Sequence, residues 1–197
     1  MQQRIAFFDF DGTITTKDTL LEFIKYYKGA ARFYLGFLLN SPWLVAYKLK
    51  VISNQAGKER ILTWFFGNTP QDKFQSRCNS FAAEIIPTLL RPKATQEIAL
   101  LQQKGFTVVI VSASPEDWLR PWTEKIGVAL LASRLETKNN KLTGKLAGRN
   151  CHGQEKVSRI KENYELSGYS DIQAYGDTSG DKPMLGLATV SFYKPFR

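Results

Sequence analysis

Histidine is almost missing from this chain. Among 197 residues only His152 is present, so neither a His-built zinc cluster nor a Ser-His-Asp triad could draw on more than that one side chain. Its neighbours Cys151 and Gly153 place it in a loop or at the entry to a helix. Cysteine is nearly as scarce. Cys78 and Cys151 lie far apart and no cleavable apolar leader is seen over Met1 to Arg4, which sets the expectation of two free thiols in a reducing compartment, the cytoplasm. Acid is short too: 18 Asp and Glu against 27 Lys and Arg leave a formal charge of +9, favouring phosphorylated metabolites, nucleic acid or acidic lipid headgroups as partners. No nearly uninterrupted apolar run of about 20 residues, the length a membrane span needs, is present. The most apolar stretch, Arg32 to Ile52, is broken by Asn40, Ser41 and Pro42 and carries Lys48 and Lys50 at its end, so two helices meeting at that corner are expected. Repeats and low-complexity linkers are absent, and 43% hydrophobic residues suffice for one domain, or one domain carrying a sizeable insertion.

What is present starts at Arg4 to Thr13, RIAFFDFDGT. Ile5, Ala6, Phe7 and Phe8 read as a strand buried on both faces of a parallel sheet, and the run ends in two carboxylates, a glycine and a hydroxyl. In open α/β sheets the crevice beyond the strands' carboxyl ends is where ligands sit. Alternation predicts that Asp9 and Asp11 point one way and Phe10 into the core. Helical spacing follows from Asp18 to Gly29, through the apolar stretch, and over Gly57 to Phe66 and Gln71 to Ile86. From residue 25 to 60 the basic residues Lys25, Lys28, Arg32, Lys48, Lys50, Lys58 and Arg60 face only Glu59. Such a basic aromatic segment suits an anionic membrane surface, or a helical unit with a solvated basic face.

An α/β alternation resumes at Lys93. A helix leads to the strand Phe106 to Val111, closed by Ser112-Ala113-Ser114-Pro115; a further helix, Trp118 to Ile126, leads to a short strand at Ala129 to Ala132. A hairpin turning at Asn139-Asn140, a helix after Gly153, and a strand from Asp171 ending at Asp177 complete the pattern, with Asp181 just beyond and a last strand over Thr189 to Phe192. About 100 residues separate Asp11 from Ser112 where a βαβ unit needs ~30, so roughly 70 helical residues are inserted after the first strand. Asp9, Asp11, Ser112, Asp177 and Asp181, with Lys156 on the intervening helix, form the residue inventory of a magnesium-dependent phosphoryl-transfer site.

With these residues the sequence resembles the haloacid dehalogenase superfamily, within subfamily IB, which includes phosphoserine phosphatases and phosphatidylglycerophosphatase C. DFDGT is similar to the family's first motif, the Ser112 of VSAS to its second, the Lys156 of GQEKV to its third and GDTSGD to its fourth. The resemblance implies an α/β fold: a Rossmann-like parallel sheet from residues 1–14 and 90–197, with a helical cap, residues 15–89, inserted after the first strand. It implies a phosphatase of a small phosphomonoester in which Asp9 forms an aspartyl-phosphate and Asp11 is acid and base. Mg2+ would be held by Asp9, Asp11 through its carbonyl, and Asp177, with Asp181 supporting; Ser112 and Lys156 would hold phosphate. Asp18 aligns with a substrate-binding glutamate of phosphoserine phosphatases, one methylene longer. The alternatives are a lipid-phosphate phosphatase peripheral to the inner membrane and a non-catalytic anion-binding protein; nucleic acid is not the expected partner.

Overall fold

The structure is a computed structural model and describes residues 3–49 and 51–197; Met1, Gln2 and Lys50, the last among the basic residues above, lie outside them. β1 (Gln3–Phe8) is the middle strand of a five-stranded sheet. β2 (Phe106–Pro115) and then β3 (Ala129–Ser133) flank it on one side, β6 (Tyr169–Gly176) and then β7 (Val190–Tyr193) on the other, and every pairing is parallel. The centre of such a sheet must be apolar on both faces. Ile5, Ala6, Phe7 and Phe8 are fully buried, Ile5 and Phe7 with Val109, Ile172 and Met184 on one face, Ala6 and Phe8 on the other. Phe10 is buried on the second face, as strand alternation predicts.

The helices between β1 and β2 are α1 (Thr19–Lys28), α2 (Ala30–Leu39), α3 (Ser41–Lys48), α4 (Asn54–Phe66), α5 (Gln71–Glu84), α6 (Ile86–Leu89) and α7 (Pro92–Gln103). The chain leaves and returns through a paired neck: Thr16 N–H donates to the Leu89 carbonyl at 2.8 Å and Arg91 N–H to that of Ile14 at 2.8 Å. Gly29 ends α1, and the corner between α2 and α3 turns at Asn40, whose buried amide donates to Gly36 O at 2.8 Å. Two boundaries among these helices differ from expectation for a clear local reason. α4 starts at Asn54 rather than Gly57, because the Ser53 hydroxyl caps the Ala56 N–H at 3.1 Å. The stretch expected as one helix to Ile86 breaks at Ile85, since Pro87 has no N–H to continue the ladder and starts α6 instead.

After β2, α8 (Glu116–Lys125) begins two residues before Trp118 and contains Pro121. Proline leaves the carbonyl four residues back without its helical donor. That carbonyl belongs to Asp117, and Gln75 of α5 supplies a side-chain N–H at 3.2 Å. An aromatic cluster crosses the same junction, with Phe23 stacked on Trp118 at 4.6 Å and edge-on to Phe74 and Phe81. The hairpin of β4 (Leu135–Lys138) and β5 (Lys141–Leu146) turns at Asn139 and Asn140, both at positive φ, as a tight two-residue hairpin turn requires. It reaches back to the inserted helices: Asn68 N–H donates to Leu142 O and Leu142 N–H to Thr69 O. Gly144, at φ +83, lies flat on α4, where a Cβ would fall 2.6 Å from the Thr63 nitrogen. Gly144→Ala combines left-handed strain of about 1–2 kcal/mol with overpacking of about 1–3 kcal/mol. Thermal unfolding is expected to show a midpoint lower by roughly 4–20 °C. α9 (Gln154–Asn163) and the short α10 (Lys182–Leu185) cover the other face of the sheet.

Candidate active site

Register brings the strand tips level. Phe8 pairs with Ile110 on one side and Tyr175 on the other, so Asp9, Ser112 and Asp177 emerge together from three adjacent strands. The Asp9 N–H extends the ladder by donating to Tyr175 O at 2.9 Å. Its carboxylate is buried: Oδ1 accepts from Lys156 Nζ at 2.6 Å and Oδ2 from the Thr13 hydroxyl at 3.0 Å. Lys156, on the first turn of α9 and 1% exposed, also donates to Asp181 Oδ1 at 2.7 Å. The other oxygen of Asp181 accepts from the N–H of Asp177 (3.2 Å) and from the N–H (2.9 Å) and hydroxyl (2.8 Å) of Thr178. Asp177 accepts the Thr13 hydroxyl at 3.2 Å and pairs with the Arg197 guanidinium. At Gly12, φ +83, a Cβ would lie 2.6 Å from Asp177 Oδ2, so the turn after Asp11 closes onto Asp177 only without a side chain.

Asp11 has a different setting. Oδ1 accepts from the N–H and hydroxyl of Thr19, at 2.7 and 2.6 Å, and Oδ2 from the Ser114 hydroxyl at 2.6 Å. Ser112 is fully buried; its hydroxyl lies 3.5 Å from Asp11 Oδ2 and accepts the Ser114 N–H at 3.0 Å. Asp18 stands at the cleft and uses one oxygen to cap α1, accepting Leu21 N–H at 3.1 Å.

Burial is the main influence on this cluster's protonation. It pushes Asp9 up to about 7, against the pull of Lys156. Burial also opposes the charge on Lys156, but Asp9 and Asp181 outweigh it and raise the ammonium above its ordinary value. Asp181 shows the same contest decided by Lys156 and Thr178, which hold it below the usual carboxylate range. Asp18 keeps contact with solvent, yet the surrounding protein and the Asp11 charge bring it up to about 6.

Asp9, Asp177 and Asp181 each offer an oxygen within 4.8 Å of the others. Three buried carboxylates face one buried ammonium and the half-exposed Arg197 guanidinium, still one positive charge short, and this imbalance with an oxygen-only donor set fits a small hard cation such as Mg2+. The cleft above them measures ≈ 510 Å³ and is walled by Asp9, Asp11, Asp18, Lys58, Ser114 and His152. Phe37, Leu44 and Tyr47, from α2 and α3, line it on the side of the inserted helices.

The structure thus brings Asp9, Asp11, Lys156, Asp177 and Asp181 together, keeps Ser112 beneath the surface and puts Asp18 at the edge. Four residues that sequence reasoning did not single out are added. Thr13 bridges Asp9 and Asp177, Thr19 and Ser114 orient Asp11, and Lys58 of α4 donates to Ala113 O at 2.6 Å from across the cleft. Ser114 was detectable, since it shares a strand face with Ser112 by the two-residue period. Lys58 carries no local signal; burial lowers its pKa although Asp11 and Asp18 attract its charge.

The family model for haloacid dehalogenase-like hydrolases matches residues 6–186. The chain belongs to that family. Protein CicA of Caulobacter vibrioides is 36% identical over 197 residues, covering 96% of this hydrolase and 85% of CicA. A probable phosphatase of Mycobacterium tuberculosis is 29% identical over 186 residues, 91% of this chain and 64% of that one. Among solved structures, a phospho-aspartyl intermediate analogue of phosphoserine phosphatase superposes with a TM-score of 0.70 at 19% identity, covering 97% of this hydrolase and 86% of that chain, which shows a shared fold. The five-stranded parallel sheet is the Rossmann-like sheet of this hydrolase family.

Proposed function

We propose that this hydrolase is a magnesium-dependent phosphatase acting on a small phosphomonoester through an aspartyl-phosphate on Asp9. The observation that carries the reading is the contrast between two carboxylates in one cleft. Asp9 is packed against Lys156 and the other acids, whereas Asp11 is held by the hydroxyls of Thr19 and Ser114. Asp9 attacks phosphorus and forms the acyl-phosphate bond as the bond to the leaving oxygen breaks, and Asp11 gives that oxygen its proton. Asp11 then takes a proton from the water that attacks the phosphoryl group, which frees Asp9 and releases inorganic phosphate. Lys156, with the strand end at Ser112, would neutralise and hold the phosphate oxygens. The side chains of Asp9 and Asp177 and the carbonyl of Asp11 would hold Mg2+, with Asp181 fixing them from behind; when bound, it supplies charge neutralisation at the phosphate.

The relative named a probable phosphatase supports this chemistry, and so does the fold shared with phosphoserine phosphatase. In this reading residues 15–89 are a cap over a core made of 1–14 and 90–197, and Lys58 and Asp18 are its charged contacts to substrate. A cytoplasmic location agrees with the free, buried thiols of Cys78 and Cys151. A second reading, a phosphatase of lipid phosphates, draws support from the apolar wall of Phe37, Leu44 and Tyr47. A purely anion-binding protein would need neither the Asp9–Lys156 pair nor the hydroxyl-held Asp11.

Phosphate release from a panel of soluble and lipid phosphomonoesters, with Mg2+ and with chelator, tests the proposal. Turnover is expected only with metal. Asp11→Asn is expected to slow alkyl phosphates by about 10²–10⁴-fold, the usual worth of general acid-base help. With an aryl phosphate, whose leaving group needs no proton, the same variant should accumulate phosphoenzyme, visible as added mass on the intact protein. Turnover unaffected by chelation, or an Asp11→Asn enzyme as fast as wild type, would overturn the mechanism.

A further inference from the structure

Among the described residues, ten of the fourteen large apolar side chains left exposed lie between Tyr34 and Trp64. Leu38 of α2 is 69% exposed, and Leu35 and Leu39 of α2 and Trp43 of α3 are exposed too, as are Leu49 (70%) and Val51 (75%) just past the end of α3. Scattered exposed leucines are ordinary, but this many on consecutive helices form the kind of patch that marks a contact surface. Trp64 of α4 adjoins it, its indole lying against Gly36.

The charge around the patch has one sign. No Asp or Glu occurs between Glu22 and Glu59. Lys28 and Arg32 stand close enough that Arg32 helps to lower the Lys28 pKa, after burial, and both border a notch of ≈ 230 Å³ lined further by Leu35, Gly36, Trp64 and Phe65. Arg60 lies over the Trp43 ring at 5.3 Å, and Lys48 closes α3.

We infer that the outer face of α2 and α3 is a docking surface for an anionic lipid bilayer. An apolar centre with a basic border and interfacial tryptophans matches a bilayer surface, where acyl chains take the leucines and headgroup phosphates meet the cations. No helix among the described residues is long and apolar enough to cross the membrane, so the contact is peripheral. A second copy of this chain is the poorer occupant, because face-to-face pairing would set Lys28, Arg32 and Lys48 against cations on an equally acid-free surface. A nucleic acid would match the cations and leave the leucines unused. The inference does not depend on which phosphate the cleft hydrolyses. Because Phe37, Leu44 and Tyr47 of the same two helices line the cleft, docking places that opening close to the lipid surface.

Co-sedimentation with vesicles is the test, using phosphatidylcholine alone and an equal mixture with phosphatidylglycerol, at low and high salt. The full chain and its Asp9→Asn variant are both expected to pellet with the mixed vesicles and not the neutral ones, and to be released by salt. Lys28→Gln with Arg32→Gln is expected to weaken binding by at least roughly tenfold, two cations' worth of attraction. Leu38→Gln with Leu49→Gln should also abolish pelleting while leaving the unfolding midpoint and the turnover of soluble phosphomonoesters unchanged. Equal binding by wild type and the leucine variant, no pelleting at all, or a dimer in sedimentation that the leucine variant dissolves would each overturn the inference. Vesicle binding by a chain that hydrolyses nothing would uphold the docking face and defeat the phosphatase reading, so the two fail separately.

Discussion

Asp9→Asn is expected to release no measurable phosphate, at least about 10⁴-fold below wild type, the scale on which enzymes lose turnover when the nucleophile is removed. The amide cannot form the acyl-phosphate, and no other carboxylate stands in its place: Asp11 is occupied by Thr19 and Ser114, and Asp181 by Lys156 and Thr178. The fold should survive. Asparagine has the same shape, its oxygen can accept from Lys156 while its NH2 donates to the Thr13 hydroxyl, and one charge leaves a cluster of three buried acids. Paired measurements of turnover and circular dichroism read both halves of the expectation. A variant that keeps a tenth of wild-type activity would remove Asp9 from the role of nucleophile.

Lys156→Met should be the most destabilising change at the site. The ammonium is 1% exposed and bridges Asp9 and Asp181, at 2.6 and 2.7 Å, so its loss strands two buried carboxylates. Breaking such a pair from one side costs about 3–5 kcal/mol. For a chain of this size that corresponds to a midpoint roughly 6–20 °C lower. Activity should fall as well, by about 10²–10³-fold, the cost of removing one donor aimed at developing charge. The pH dependence has a definite sign. Asp9 already titrates at about 7 in the metal-free fold, above its unfolded value, and the variant takes away the cation that lowers it. A carboxyl raised on folding destabilises at high pH and is relieved as pH falls through its folded value, so the variant's deficit in chelator should be largest at alkaline pH and shrink as pH falls to about 7, where Asp9 takes up its proton in both proteins. Thermal melts across that range, with and without Mg2+, provide the check. A deficit that grows on acidification would mean that the stranded acids are solvated rather than buried.

The central strand was legible because its signals are local. An apolar run buried on both faces predicts β1, the two-residue period predicts that Phe10 turns inward, and the carboxylates at Asp9 and Asp177 follow the ends of such runs. The hairpin was announced by Asn139-Asn140, since both positions need positive φ. What escaped was tertiary. Lys58 reaches the cleft only because α4 crosses above the end of β2, and nothing in GKER says so. Asp18 looked like a substrate contact, whereas the structure also gives it a helix to cap. Ser112 and Ser114 differ by one turn of the pleat, and which of them opens to the cleft depends on the strand irregularity after Ser112. The helix break at Ile85 was signalled by Pro87 but read as part of a longer run.

The contact of Phe23 with Trp118, the paired neck and the hairpin laid on α4 give the inserted helices and the sheet a single continuous interior. The two parts therefore have no seam. Excising the helices would uncover Trp118 and the apolar face of α8, and trimming the hairpin would unroof α4, so neither part is a detachable module. Calorimetry is accordingly expected to show one cooperative melting event, and a substitution among the phenylalanines of α4 or α5 to be felt at the carboxylates without touching them.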